Sequence, residues 1–276
     1  MKKKNTLFNI IRICALLFFT GVLLYPTISD YLSRVNGSNA ISEYNKQVLG
    51  ISEETKQKLL EKAKIYNSSL SYLEGSEGKY VNDVDSDLNY TDLLKTSPDG
   101  LMASITIPAI DVKLPIYHTI KESVLQKGVG HMEGTSLPIG GDNTHAVLSG
   151  HRGLPSSRLF TDLDQLVEGD IFYIDVLGDT LAYKVNQIKI VLPHELEDIK
   201  IEDGKDYVTL VTCTPYSVNT HRLLVRGERI DYEKAIVEEA PEVSEGVFIP
   251  FEIKVLAVAL PLLFIAIFII RRKKHD

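Results

Sequence analysis

The chain has no tryptophan, three methionines and two cysteines in 276 residues. Two cysteines cannot build the disulfide framework of a small exported domain. Cys14 lies inside an apolar run, so Cys213 has no disulfide partner within its domain. No Cys or His pair has zinc-ligand spacing, and neither a G-x-S-x-G elbow nor a phosphate-binding glycine loop occurs. Internal repeats and low-complexity tracts are missing too. These absences exclude a structural zinc module, hydrolase-type serine chemistry and P-loop nucleotide hydrolysis. Positive charge is also short: 30 Lys and Arg against 37 Asp and Glu give −7. That balance argues against a nucleic-acid partner.

What is present begins at the ends. Met1-Lys2-Lys3-Lys4 precedes an apolar run from about Phe8 to Tyr25, broken only by Arg12. Near the other end Val255–Ile270 carries no charge and is followed by Arg271-Arg272-Lys273-Lys274. Basic flanks mark the cytoplasmic side, so the expectation is a two-pass membrane protein with both termini inside and the middle exported. A cleaved signal peptide is the alternative for the first run, but no small-x-small cleavage site follows it.

Between the anchors the texture changes twice. Residues 29–100 are polar, with a helix starting at Ser52-Glu53-Glu54 and an apolar stripe of Leu59, Ala63, Tyr66, Leu70 and Leu73 that implies packing on a neighbouring domain. After Gly75 the chain becomes acidic and reads as a loop; Asp83, Asp85 and Asp87 lack the glycine and closing Glu of a calcium loop. From Met102 short β-branched runs alternate with Gly, Asp and Asn turns. The strand candidates are 104–107, 112–117, 146–149, 171–176, 181–190, 207–213 and 223–230. Such spacing implies a sandwich or a closed barrel. Residues 233–252 form an acidic tether to the second anchor, 253–276, and residues 1–28 hold the first.

Cys213 ends the run Tyr207–Thr212, and Thr214-Pro215 stops the strand because proline cannot donate to a ladder. A strand resuming at Arg222 returns the guanidinium to the same rim. A lone exported thiol is a candidate nucleophile, with a buried structural cysteine or an intermolecular disulfide as the alternatives. An ordinary thiol, near 8.5, is only a few per cent ionised at neutral pH, so it needs a histidine or arginine beside it. Among the histidines, His151 follows the strand Ala146–Ser149 and ranks first; His221, next to Arg222, ranks second.

Three blocks then become recognisable. Thr209-Leu210-Val211-Thr212-Cys213 with its continuation to Gly227, Leu125–Pro138, and Asn143–Pro155 resemble, in order, the motifs of class C sortases, the pilin-polymerising cysteine transpeptidases of Gram-positive bacteria. The resemblance covers residues 101–232. It implies a mainly β fold: a closed eight-stranded sortase-type barrel with short helices, an N-terminal helical extension and two terminal transmembrane helices. It makes Cys213 the nucleophile, His151 the proton carrier and Arg222 the oxyanion and substrate anchor, with Thr212, Thr214 and Asn219 as substrate contacts. It implies no metal or cofactor. The implied partners are an LPxTG-bearing pilin or surface protein, a pilin lysine as acceptor, and the lipid bilayer. The alternative acceptor is a peptidoglycan amine. A sorted surface protein is a poor fit, because no LPxTG-like pentapeptide precedes the last apolar run. Many class C members carry an Asp-Pro-aromatic lid; here Pro26 and Pro98 are not preceded by Asp. The expectation is therefore a weak lid or none, any cover falling to Tyr80 or Tyr90 within 75–99, and a chain truncated to about Thr96 that keeps its activity.

Overall fold

The computed structural model describes residues 2–71 and 89–239. The chain divides into two compact units. In one, residues 2–29 are helical and expose Phe18, Phe19 and Leu23. This is the start of α1 (Lys2–Gly50); within Ile11–Gly50 an 18-residue window with a mean hydropathy of 1.9 is long and apolar enough, by length and composition, to cross a membrane. The second apolar run, Val255–Ile270, lies outside the described residues.

The other unit, Asp30–Ala240, is built on eight strands. They are β1 (Leu101–Ile107), β2 (Val112–His118), β3 (Val129–His131), β4 (Thr144–Ser149), β5 (Ile171–Val176), β6 (Asp179–Val191), β7 (Asp206–Thr214) and β8 (His221–Ile230). They close in the order β1-β2-β3-β4-β7-β8-β6-β5. Closure leaves no unpaired edge, so the barrel form of the two expected architectures is the observed one. Seven strands coincide with the runs read from sequence. The eighth, β3, has three residues, Val-Gly-His, too few for an alternation to show. Its pairing is parallel to β2 and antiparallel to β4.

The residues before the barrel are part of its core. The helix α2 (Glu53–Ser71) buries Ala63 and Tyr66, with Leu59, Leu60 and Leu70 partly covered, which is the stripe's expected packing; Leu73 lies outside the described residues. Asn67 makes two bonds to one backbone: its Nδ2 donates to the Leu137 carbonyl at 3.1 Å and its Oδ1 accepts the Leu137 N–H at 2.7 Å. From α1, the Tyr44 hydroxyl donates to the Met102 carbonyl at 2.8 Å and accepts the Leu177 N–H at 2.9 Å. The acidic run 76–87, read as a loop, lies outside the described residues; beyond it Leu93 and Leu94 are buried in the barrel core. Tyr90 is buried as well, its hydroxyl 2.8 Å from His131 Nδ1 and accepting the Thr119 N–H, so it is a core residue and not a cover; Tyr80 lies outside the described residues. Truncation to Thr96 would therefore remove core side chains, and the expectation that it is harmless is corrected. The start of the acidic tether is likewise ordered as α4 (Tyr232–Glu239), with Ala235 buried against Ile171, Tyr173 and Ala182.

Three imidazoles are buried in this unit, His118, His131 and His145, and the last two are the deepest. His131 bonds to the Tyr90 hydroxyl and the Ser136 carbonyl, and His145 to the Lys200 carbonyl and the Thr209 hydroxyl. Burial pushes each down to about 4. The unfolded chain takes up these protons first, near the ordinary value of about 6.5, so stability is complete above that pH and is lost on acidification toward the folded values. Urea unfolding of the full chain in detergent should weaken between about pH 6.5 and pH 5, with a slope of up to ~2.7 kcal/mol per pH unit for two protons. His145→Gln should roughly halve that slope; an unchanged slope would show that the buried rings do not set the acid limit.

Candidate active site

β7 is central, paired parallel with β4 and antiparallel with β8. Side chains on a strand alternate between faces. Val208 and Leu210 point into the main core, while Val211 packs on the opposite face with Val147, Ile199 and Leu224. Cys213 lies two residues beyond Val211 and shares its face, at the end of the strand, half-buried. On β8 the register pairs Cys213 with Arg222, and Arg222 shares its face with Leu224. Thiol and guanidinium thus start from directly opposed Cα positions on one face of one rim.

The hairpin from Pro215 to Thr220 fixes the arginine. Val218 and Asn219 both donate their N–H to the Pro215 carbonyl, and Ser217 and Asn219 adopt positive φ, 65° and 61°. That turn presents the Asn219 carbonyl to Arg222 Nη1 at 3.3 Å, and the His221 carbonyl accepts from the same nitrogen at 3.1 Å. Among the described residues no carboxylate pairs with Arg222.

His151 reaches the same rim from β4. The parallel register pairs Ser149 with Val211, so His151 and Cys213 each stand two residues past a paired position. Two bonds stitch the strand ends together: the Gly150 N–H donates to the Val211 carbonyl at 3.0 Å, and the Thr212 hydroxyl to the Gly150 carbonyl at 2.8 Å. His151 is 24% exposed in its side chain, and its Nε2 lies 3.2 Å from both carboxylate oxygens of Glu122. Next to it, Arg152 bonds to the Thr214 hydroxyl, pairs with Asp164 and lies over the Tyr216 ring.

The three residues expected to carry the chemistry therefore share one rim. The expected contacts divide differently. Thr212 and Thr214 are buried on the other face of β7, and their hydroxyls serve Gly150 and Arg152. Asn219 acts through its carbonyl, on Arg222. His221 pairs with Thr214, so it lies on the opposite face of β8 from Arg222, and its Nδ1 bonds to the Thr220 hydroxyl. Glu122 and Arg152 were not singled out from sequence: Glu122 is 29 residues before its histidine and meets it only through the fold. Among the described residues no group of three or more His, Cys, Asp or Glu could hold a metal ion.

Comparison with known proteins bears on the family and the fold. Residues 105–230 match the family described as "Sortase domain". Sortase C1 from Streptococcus agalactiae is 47% identical, over 70% of this chain and 98% of that one, with a TM-score of 0.62. Sortase C from Clostridium perfringens, solved with the C-terminal cell wall sorting motif, is 46% identical over 70% and 99%, with a TM-score of 0.61. Among curated proteins, sortase A of Streptococcus agalactiae is 28% identical over 82% of this chain and 87% of that protein.

Gly150 offers a test of the stitching. A Cβ there would lie 2.6 Å from Cδ2 of Phe160, which is fully buried and cannot swing aside. Gly150→Ala should lower stability by roughly 1–3 kcal/mol and displace His151. Because a misplacement of ~1 Å can cost on the order of 10²-fold in rate, cleavage of a motif peptide should fall by about that factor. Wild-type rates in a folded Gly150→Ala variant would show that the Gly150–Phe160 contact does not position His151.

Proposed function

Since the chain belongs to the sortase family, as a cysteine transpeptidase of class C, we propose that it cleaves an LPxTG-like motif between Thr and Gly and transfers the acyl group to a pilin lysine. The observation that carries this reading is the Cys213–Arg222 cross-strand pair with His151 arriving on the adjacent strand end. Cys213, as thiolate, attacks the threonine carbonyl carbon. The Arg222 guanidinium, held by two neutral carbonyls, keeps its charge for the oxyanion that forms. His151 gives its proton to the departing glycine nitrogen, the C–N bond breaks, and a thioester remains on Sγ. A lysine amine then attacks the thioester, gives a proton back to His151 and expels the Cys213 thiolate, leaving an isopeptide bond. Thr212 and Thr214 hold the rim together, the first donating to the Gly150 carbonyl and the second accepting from Arg152.

The motif class is supported by the Clostridium perfringens structure with its sorting motif, and a pilin as substrate by a Streptococcus pneumoniae sortase C, 41% identical, whose structure is described in terms of pilin substrate specificity. For the membrane we propose two passes, residues 1–28 and 253–276, with the barrel at 101–232 outside and both termini in the cytoplasm. The extension 29–100 and the tether 233–252 join them. The basic residues beside both apolar runs support that orientation.

The test is incubation of the full chain in detergent with a pilin bearing an LPxTG motif, read on denaturing gels and by intact mass. Wild type should build covalent ladders and Cys213→Ala none. Arg222→Ala should slow acylation on the order of 10²-fold, as expected for loss of an oxyanion donor. A thioacyl adduct without ladders would move the acceptor to a peptidoglycan amine, and no adduct at all would remove Cys213 as the nucleophile.

A further inference from the structure

The histidine at this rim has a partner that the reaction scheme above leaves unused. Glu122 opens α3 (Glu122–Leu125), in the crossover between β2 and β3. Both of its carboxylate oxygens are 3.2 Å from His151 Nε2. The carboxylate is itself oriented, since Gln126 donates from its side chain to Glu122 Oε1 and from its backbone N–H to the Glu122 carbonyl. The turn is seated on the barrel: a Cβ on Gly130 of β3 would fall 2.4 Å from the Thr119 carbonyl oxygen, so only glycine lets the crossover lie this close. Hydrogen bonds from Gln126 and then His151 hold the Glu122 carboxyl below the ordinary carboxylate range. It is therefore an anion at neutral pH.

We propose that Glu122 is a positioning residue for His151, accepting the Nε2–H so that the ring is fixed and Nδ1 is the nitrogen that exchanges protons. The hydrogen bond made by one imidazole nitrogen decides which role falls to the other. Among the described residues nothing else bonds to either ring nitrogen of His151. The proton that leaves for the glycine amine departs from Nδ1 and returns there from the lysine; Glu122 stays ionised throughout and takes no proton. Its charge offsets the imidazolium while both nitrogens are protonated. The inference rests on the assignment of His151 as the proton carrier.

An exposed ion pair contributes little to stability, and the Glu122 side chain is 67% exposed. A purely structural role would show little in either direction; a positioning role shows in turnover. With the full chain in detergent and a fluorogenic LPxTG peptide as probe, Glu122→Ala should lower kcat about tenfold while KM stays within about twofold, because only part of a general acid's contribution is lost. The unfolding midpoint should be unchanged. Glu122→Gln, which keeps an acceptor but not the charge, should fall between, and Gln126→Ala should show a smaller loss. A wild-type kcat in Glu122→Ala, or an effect confined to KM, overturns the proposal. If the wild type itself fails to turn over the peptide, the functional reading falls separately. Iodoacetamide alkylation of Cys213 then decides the pair: slower in Glu122→Ala supports it, and an equal rate overturns it.

Discussion

Everything at the rim depends on the register of β7 with its two neighbours. One strand is locked in parallel to β4 through six paired positions, Thr144↔Asp206 to Ser149↔Val211, and in antiparallel to β8 through Tyr207↔Glu228 to Thr214↔His221. A slip of one residue in either ladder would turn the partner side chain to the other face. On the β8 side it would put His221 or Leu223 opposite the thiol in place of Arg222. The slip is opposed on both faces at once. Val208 and Leu210 are buried inward and Val211 outward, so no alternative register keeps both apolar sets covered. The chemistry is thus specified by the same hydrophobic pattern that specifies the barrel.

Most of the barrel and the centre of the site were legible in the sequence for that reason. Strands such as Ile171–Val176 and Tyr207–Cys213 are bounded by turn residues and rich in β-branched side chains, and the cysteine and arginine announce their rim by ending one run and opening the next. Illegible were features without a local period. β3 is too short to alternate. Leu93 and Leu94 sit in a polar stretch whose composition resembles a loop, and only their packing in the folded barrel gives them a core role. Glu122 carries no mark of its partner, since the crossover between β2 and β3 brings it to His151 from 29 residues away. The hydroxyls of Thr212 and Thr214 look like recognition groups beside a nucleophile; strand parity turns them inward.

The N-terminal extension alters how the domain is bounded. Tyr44, Tyr66, Leu93 and Leu94 contribute large buried surfaces to the barrel, and Asn67 serves both polar groups of Leu137 as a neighbouring strand would. Removing Asn67 would strand the buried Leu137 N–H, a cost of roughly 1–3 kcal/mol, while the Leu137 carbonyl keeps the Ile139 N–H at 2.8 Å. The extension is in this sense the outer wall of the core, and the site is held by a unit larger than the eight strands.

The parallel pairing of β4 with β7 has a consequence for how the protein comes into being. The end of β4 at Ser149 and the start of β7 at Asp206 are separated in the chain by the whole β5–β6 hairpin and its connections, so pairing the two strands closes a long loop. Contacts so distant in the chain require closing a long loop before any reward is gained, which makes them slow to form. During synthesis Cys213 and Arg222 emerge long after His151, and each lacks its neighbours until the barrel shuts. Until then Cys213 stands apart from both groups, and the three come to one rim only with the finished architecture.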